Sequence, residues 1–153
     1  MSAGRQRIVI TVGLPGAGKS TYLEKLGVHA LSSDCLRLLL ADDVTNQTVN
    51  DRVFLAMRYL LNHRLAIGRP VTYVDATHLT AGERRPYVEI AGWYGCDLEA
   101  LFFDLPLELC RQRNSARGRV VPEDALERLA GRLEPPSLAE GFTRITVIRE
   151  PEL

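Results

Sequence analysis

Residues 13–20 read Gly13-Leu14-Pro15-Gly16-Ala17-Gly18-Lys19-Ser20, a complete match to the pattern G-x-x-x-x-G-K-[ST]. Each conserved-type position of that pattern has a use against a phosphate chain. Glycine lets backbone N–H groups close around phosphate oxygens. A lysine at position 19 reaches the β/γ-phosphates, and a hydroxyl at position 20 can ligate Mg²⁺. The flanks supply the context that the pattern needs. Arg7-Ile8-Val9-Ile10-Thr11-Val12 is a β-rich apolar run, as expected of a buried parallel strand. Lys19–Leu26 reads as a helix stopped by Gly27. Strand, loop and helix in this order aim a positive helix end at the loop. A plain glycine turn would also join a strand to a helix, but it gives no reason for Lys19 and Ser20 together. The expected nucleotide-binding segment is therefore Gly13, Pro15, Gly16, Ala17, Gly18, Lys19, Ser20 and Thr21.

Working outward, strand and helix patterns alternate. Val28–Ser33 reads as a strand ending at Asp34, and Cys35–Ala41 as a short helix. Val53, Ala56, Met57, Leu60, Leu61 and Leu65 recur at helical spacing, so an amphipathic helix is expected from about Asn50 to Ile67. Val71–Asp75 is the next strand. Thr80 and Glu83 have capping-box spacing and would open a helix running to about Tyr94. Pro86 inside that helix predicts a kink or a later start. Leu98–Phe103, a helix over Pro106–Ala116, a helix opened by Pro122 and a last strand over Arg144–Arg149 follow. Five strands alternating with helices predict a three-layer α/β fold of P-loop NTPase type, with a five-stranded, mostly parallel sheet. In such sheets ligands bind beyond the carboxyl ends of the strands, where the loop, Asp34 and Asp75 all fall.

The 153 residues suit one domain with a real core, so 1–153 is read as a single unit. Apolar residues make up 46% and charged residues 25%, ordinary values for a soluble globular protein. No run approaches a membrane span and the N-terminus lacks the apolar core of a signal peptide. Three scattered cysteines, Cys35, Cys96 and Cys110, form no metal-type pair and read as reduced thiols of a cytoplasmic protein. With a formal net charge of zero the chain is no polycation, which counts mildly against large nonspecific nucleic-acid binding. Charge is nonetheless uneven. Arginines 111, 113, 117, 119, 128 and 132 crowd one segment, and Lys19 and Lys25 are the only lysines.

Four side chains outside the loop carry candidate chemistry. Asp34 can accept the proton of an acceptor hydroxyl. Arg37, one helical turn on, can hold an anionic group of the acceptor. The bland alternative is an N-cap aspartate beside an exposed arginine. Asp75 closes a strand, where an acid can reach Mg²⁺ through water; a turn cap is the alternative. Arg113 and Arg117 share a helix face before Gly118 and fit an arginine-bearing lid that neutralises a γ-phosphoryl. A solvated basic helix gives the same spacing. His78 has no partner at metal-ligand spacing and reads as loop packing or capping.

Taken together these residues resemble the kinase module of phage and bacterial polynucleotide 5′-kinases, within the P-loop kinases. The resemblance runs through Gly13–Thr21, Ser33-Asp34 with Arg37, and Val74-Asp75-Ala76-Thr77. It continues through Arg84-Arg85-Pro86, Phe103-Asp104-Leu105-Pro106, Cys110 to Arg117, and Pro135-Pro136 with Glu140-Gly141-Phe142. Many members of that family carry Asn where this chain has His78. The resemblance implies transfer of the γ-phosphoryl of ATP, with Mg²⁺, to a nucleic-acid 5′-hydroxyl. It implies Asp34 as general base, Arg37 on the acceptor's neighbouring phosphate, and Arg113 and Arg117 on the donor phosphates. Two other functions use the same parts: a small-molecule hydroxyl kinase, and a nucleotide-binding regulatory protein.

Overall fold

In the computed structural model, residues 4–116 and 121–149 are described. Their strands are β1 (Arg7–Val12), β2 (Leu31–Ser32), β3 (Val71–Asp75), β4 (Asp97–Phe103) and β5 (Arg144–Ile148). They form one sheet in the order β2-β3-β1-β4-β5, and every pairing is parallel. The helices are α1 (Lys19–Leu26), α2 (Ser33–Ala41), α3 (Asn50–Ala66), α4 (Ala81–Tyr94), α5 (Leu107–Ser115) and α6 (Glu123–Arg132).

The apolar pattern of β1 explains the layering. Ile8, Ile10 and Val12 point to one face, where they meet Val53, Met57, Leu61 and Leu65 of α3 and Tyr87 and Ile90 of α4. On the other face Leu14, Phe103, Cys110 and Leu126 pack with Tyr22, joining α1, α5 and α6 to the sheet. Both faces of the sheet are thus covered, which is why its central strand is apolar at successive positions. The strand order reverses around β1. The loop that follows β1 therefore opens into the crevice at the carboxyl ends of the strands.

Two local expectations differ from the structure. Only Leu31 and Ser32 pair with β3, rather than the whole of Val28–Ser33. The Ser32 hydroxyl accepts a hydrogen bond from the Cys35 N–H, and this cap turns the chain into α2 at Ser33. Asp34 therefore lies in the first turn of α2, not at a strand end or an N-cap. Pro86 also does not delay α4. Both hydrogen bonds of the Thr80/Glu83 capping box form, and the helix begins at Ala81. The carbonyl that Pro86 cannot bond is that of Gly82, an exposed residue open to water.

Candidate active site

The segment after β1 takes the shape that its glycines allow. Gly16 has φ +85, and a Cβ there would lie 2.5 Å from the Cys110 carbonyl oxygen of α5. Gly18 has φ +93 and stands as the N-cap of α1 without any side-chain cap. The first N–H groups of α1 thus face the loop. Lys19 is nearly buried, and its Nζ donates to the carbonyls of Gly13 (3.0 Å) and Leu14 (2.8 Å). Its ammonium is held over the loop from which it springs. The Gly13 N–H donates to the Thr77 carbonyl, which ties the loop to the chain after β3.

Ser20 and Asp75 meet although 55 residues separate them. The Ser20 hydroxyl donates to Asp75 Oδ2 at 2.7 Å, and Thr11 Oγ1 donates to Asp75 Oδ1 at 3.3 Å. A hydroxyl and a carboxylate are hard oxygen donors of the kind Mg²⁺ prefers. Among the described residues no three His, Cys, Asp or Glu side chains gather as a metal site. A cation between Ser20 and Asp75 would complete its shell with water and phosphate oxygens, as Mg²⁺ commonly does.

Opposite the loop stands a second set of side chains. Arg37 is buried, and its Nη1 donates to Asp34 Oδ1 at 2.9 Å. Its Nε and Nη2 both donate to Asn50 Oδ1, at 3.2 and 2.9 Å. The Asn50 amide in turn donates to Gln47 Oε1 at 3.0 Å. The guanidinium plane is thereby fixed from two sides while Asp34 stays partly exposed. Sequence spacing paired Asp34 with Arg37 but missed Asn50 and Gln47. The only signal for Asn50 was its place at the start of an amphipathic helix.

Loop, Ser20/Asp75 pair and Asp34/Arg37 pair line one cleft of about 1560 Å³. A single drug-sized ligand fills roughly 300–1,000 Å³, so the cleft has room for a donor and an acceptor together. Arg113 closes one side, with Nη1 3.4 Å from the Ala17 carbonyl. Arg128 of α6 also lines it and was not singled out from the sequence. Arg117, the second expected lid arginine, lies outside the described residues. Asn114 binds the chain on the far side of that segment. Its amide donates to the Val121 carbonyl at 2.6 Å and accepts from the Val121 N–H at 3.0 Å.

His78 packs, as expected, but under unusual constraint. It is a non-glycine residue at φ +46. Nδ1 lies 2.6 Å from the Thr11 carbonyl, an acceptor only, so Nδ1 carries the proton. Nε2 is buried with no partner among the described residues, and the ring meets Tyr87 edge to face. Burial pushes its pKa down to about 4, so the ring is neutral near pH 7. Arg84, fully buried, holds the His78 carbonyl at 2.8 Å and forms a two-pronged ion pair with Glu140 at 2.9 and 3.0 Å. Among the described residues no helix is long and apolar enough to cross a membrane.

The chain has known counterparts. Residues 8–136 match the family model described as AAA domain. A bifunctional polynucleotide phosphatase/kinase of Schizosaccharomyces pombe is 25% identical over 149 residues, covering 92% of this chain and 33% of that protein. An L-seryl-tRNA(Sec) kinase of Methanococcus maripaludis is 22% identical over 136 residues, covering 84% of this chain and 53% of that protein. The chain thus spans between a third and about half of the length of these relatives. Among solved structures, the Pnkp1/Rnl/Hen1 RNA repair complex has a chain that superposes with TM-score 0.71 at 23% identity, over 86% of this chain and 45% of that one. A gluconokinase from Sinorhizobium meliloti superposes with TM-score 0.63 at 21% identity, over 97% and 86%. The fold is therefore shared with proteins named for quite different acceptors, and fold alone does not choose between them.

Proposed function

The chain belongs to the AAA domain family and has a P-loop kinase fold, and on that premise we propose that it transfers the γ-phosphoryl of ATP to the 5′-hydroxyl of a polynucleotide. The observation that carries this reading is the Asp34/Arg37 pair, locked by Asn50 on the wall facing the loop. A nucleotide hydrolase or switch needs no carboxylate and buried guanidinium on that wall. A 5′-nucleotide end needs both, because its hydroxyl and its nearest phosphate lie on one ribose.

In this reading the backbone of Gly13–Thr21, including Pro15 and Ala17, cradles the donor phosphates and Lys19 neutralises them. Ser20 and Asp75 hold Mg²⁺, directly and through water. Asp34 accepts the proton from the attacking hydroxyl. Arg37 holds the phosphate next to it. Arg113, with Arg117, stabilises charge on the transferred group from the lid side. The likeness to a polynucleotide phosphatase/kinase over 92% of the chain supports the choice of acceptor.

The likeness to a seryl-tRNA kinase keeps the acceptor on nucleic acid but moves the hydroxyl to an attached seryl group. Transfer of labelled γ-phosphate separates the readings. A 5′-hydroxyl oligonucleotide should be labelled, and seryl-tRNA, gluconate and simple sugars should not. Labelling of a small alcohol with none of the oligonucleotide would overturn the proposal.

A further inference from the structure

Helix α3 presents two faces. Val53, Met57, Leu61 and Leu65 are buried in the core. Asp51, Phe54, Leu55 and Arg58 recur at i, i+3, i+4 and i+7, share the next face and line the cleft beyond Asn50. Three properties of that face are unexplained by the donor site or by Asp34 and Arg37. Leu55 is 59% exposed on the wall of the cleft. Phe54 is half-buried, its inner side packed on the core and the residue lining the cleft. Arg58 lines the same cleft, and no carboxylate among the described residues pairs with it. Of the other cleft arginines, Arg37 is held by Asp34 and Asn50 and Arg132 by Glu83, while Arg113 and Arg128, like Arg58, pair with no carboxylate among the described residues.

Spacing sets these groups in a row. Eight residues from Asn50 to Arg58 cover about 12 Å of helix, with Phe54 halfway. Helical side chains lean toward the N-terminus, so the Arg58 guanidinium is carried back toward Phe54 and Asn50. The row is then cation (Arg37, at Asn50), aromatic (Phe54), cation (Arg58). Proteins that grip single strands use this alternation, with cations along the backbone and a ring under a base.

We propose that this face of α3 is a subsite for the second nucleotide of a single-stranded acceptor. Phe54 and Leu55 carry its base, and Arg58 takes the phosphate that follows. The inference rests on the polynucleotide reading above and deepens it. It predicts that the enzyme distinguishes a strand from a lone nucleotide.

The test compares two acceptors, a nucleoside 3′-monophosphate and a 5′-hydroxyl trinucleotide, in kcat/KM. The trinucleotide should be favoured roughly tenfold or more, the value of one stacked base. In Arg58→Ala, and in Phe54→Leu, which keeps an apolar side chain against the core, that ratio should fall toward one. The salt dependence of log kcat/KM for the trinucleotide should also flatten in Arg58→Ala, by about 0.7, the slope of one single-strand phosphate contact. A ratio and a salt slope in Arg58→Ala equal to those of the unsubstituted protein would overturn the subsite. So would equal use of both acceptors by the unsubstituted protein, which leaves the polynucleotide reading standing. If neither acceptor is phosphorylated, the polynucleotide reading fails and the subsite falls with it.

Discussion

The wall that we propose for the donor is made of backbone from one contiguous segment, whereas the wall proposed for the acceptor is made of side chains from two helices. In Gly13–Thr21 the useful groups are N–H dipoles, and Gly16 at φ +85 lies where even a Cβ would strike Cys110. Across the cleft the useful groups are a carboxylate from α2 and a guanidinium fixed by Asn50 of α3. A backbone cradle fits any polyphosphate, because it reads only the anion. A side-chain wall fits a particular acceptor, and its members can change singly without unmaking the fold. One family can therefore keep the loop and vary its substrate on the other side.

Substitutions should separate the walls. Asp34→Ala should have the largest effect, a loss of about 10²–10⁴-fold in transfer, with ATP·Mg²⁺ affinity retained when measured by calorimetry. Retained transfer would remove Asp34 as the base. Lys19→Ala should cost roughly 10²–10³-fold in kcat, the scale of losing one preorganised donor to developing charge, and should act equally on every acceptor. Asn50→Ala should act only on the acceptor side. Freed from its Oδ1, Arg37 should bind the acceptor phosphate about tenfold more weakly, raising acceptor KM while the KM for ATP holds. An equal rise in both constants would merge the two walls into one unit.

The floor between them should show in folding rather than in transfer. His78 has its folded pKa depressed by burial to about 4, against 6.5 when solvated. Between those values the unfolded chain binds a proton that the folded chain refuses. Stability is therefore fully present above about pH 6.5 and is lost as pH falls toward 4. Denaturant titrations should show roughly 2 kcal/mol less stability at about pH 5 than at about pH 7 from this group. His78→Asn, which tolerates positive φ and does not titrate, should flatten that slope. An unchanged slope would assign the acid sensitivity to other groups.

Much of this was legible in the residues alone. The loop motif identified its own segment because phosphate binding by backbone is local, needing only glycines, one lysine and one hydroxyl in register. The five strands and their helices followed from apolar periodicity. The short β2 was misjudged because Ser32 looks equally at home ending a strand or capping a helix. The start of α4 at Ala81 was legible in the Thr80/Glu83 spacing; the later start that Pro86 allowed does not occur, because the carbonyl it leaves unbonded belongs to the exposed Gly82. Asn50 and Gln47 were missed because Asn50 matters through reaching Arg37 across thirteen positions, and Gln47 only through holding Asn50.

The sequence by itself determined the cradle and the order of strands, because both depend on interactions between near neighbours. Only the tertiary structure decided what faces the cradle. The parallel sheet brings Ser20 to Asp75, and the docking of α3 on α2 brings Asn50 to Arg37 and sets Phe54 and Arg58 along the cleft. Those meetings are fixed by the packing of apolar faces, and they place polar groups whose own local sequence does not indicate a partner.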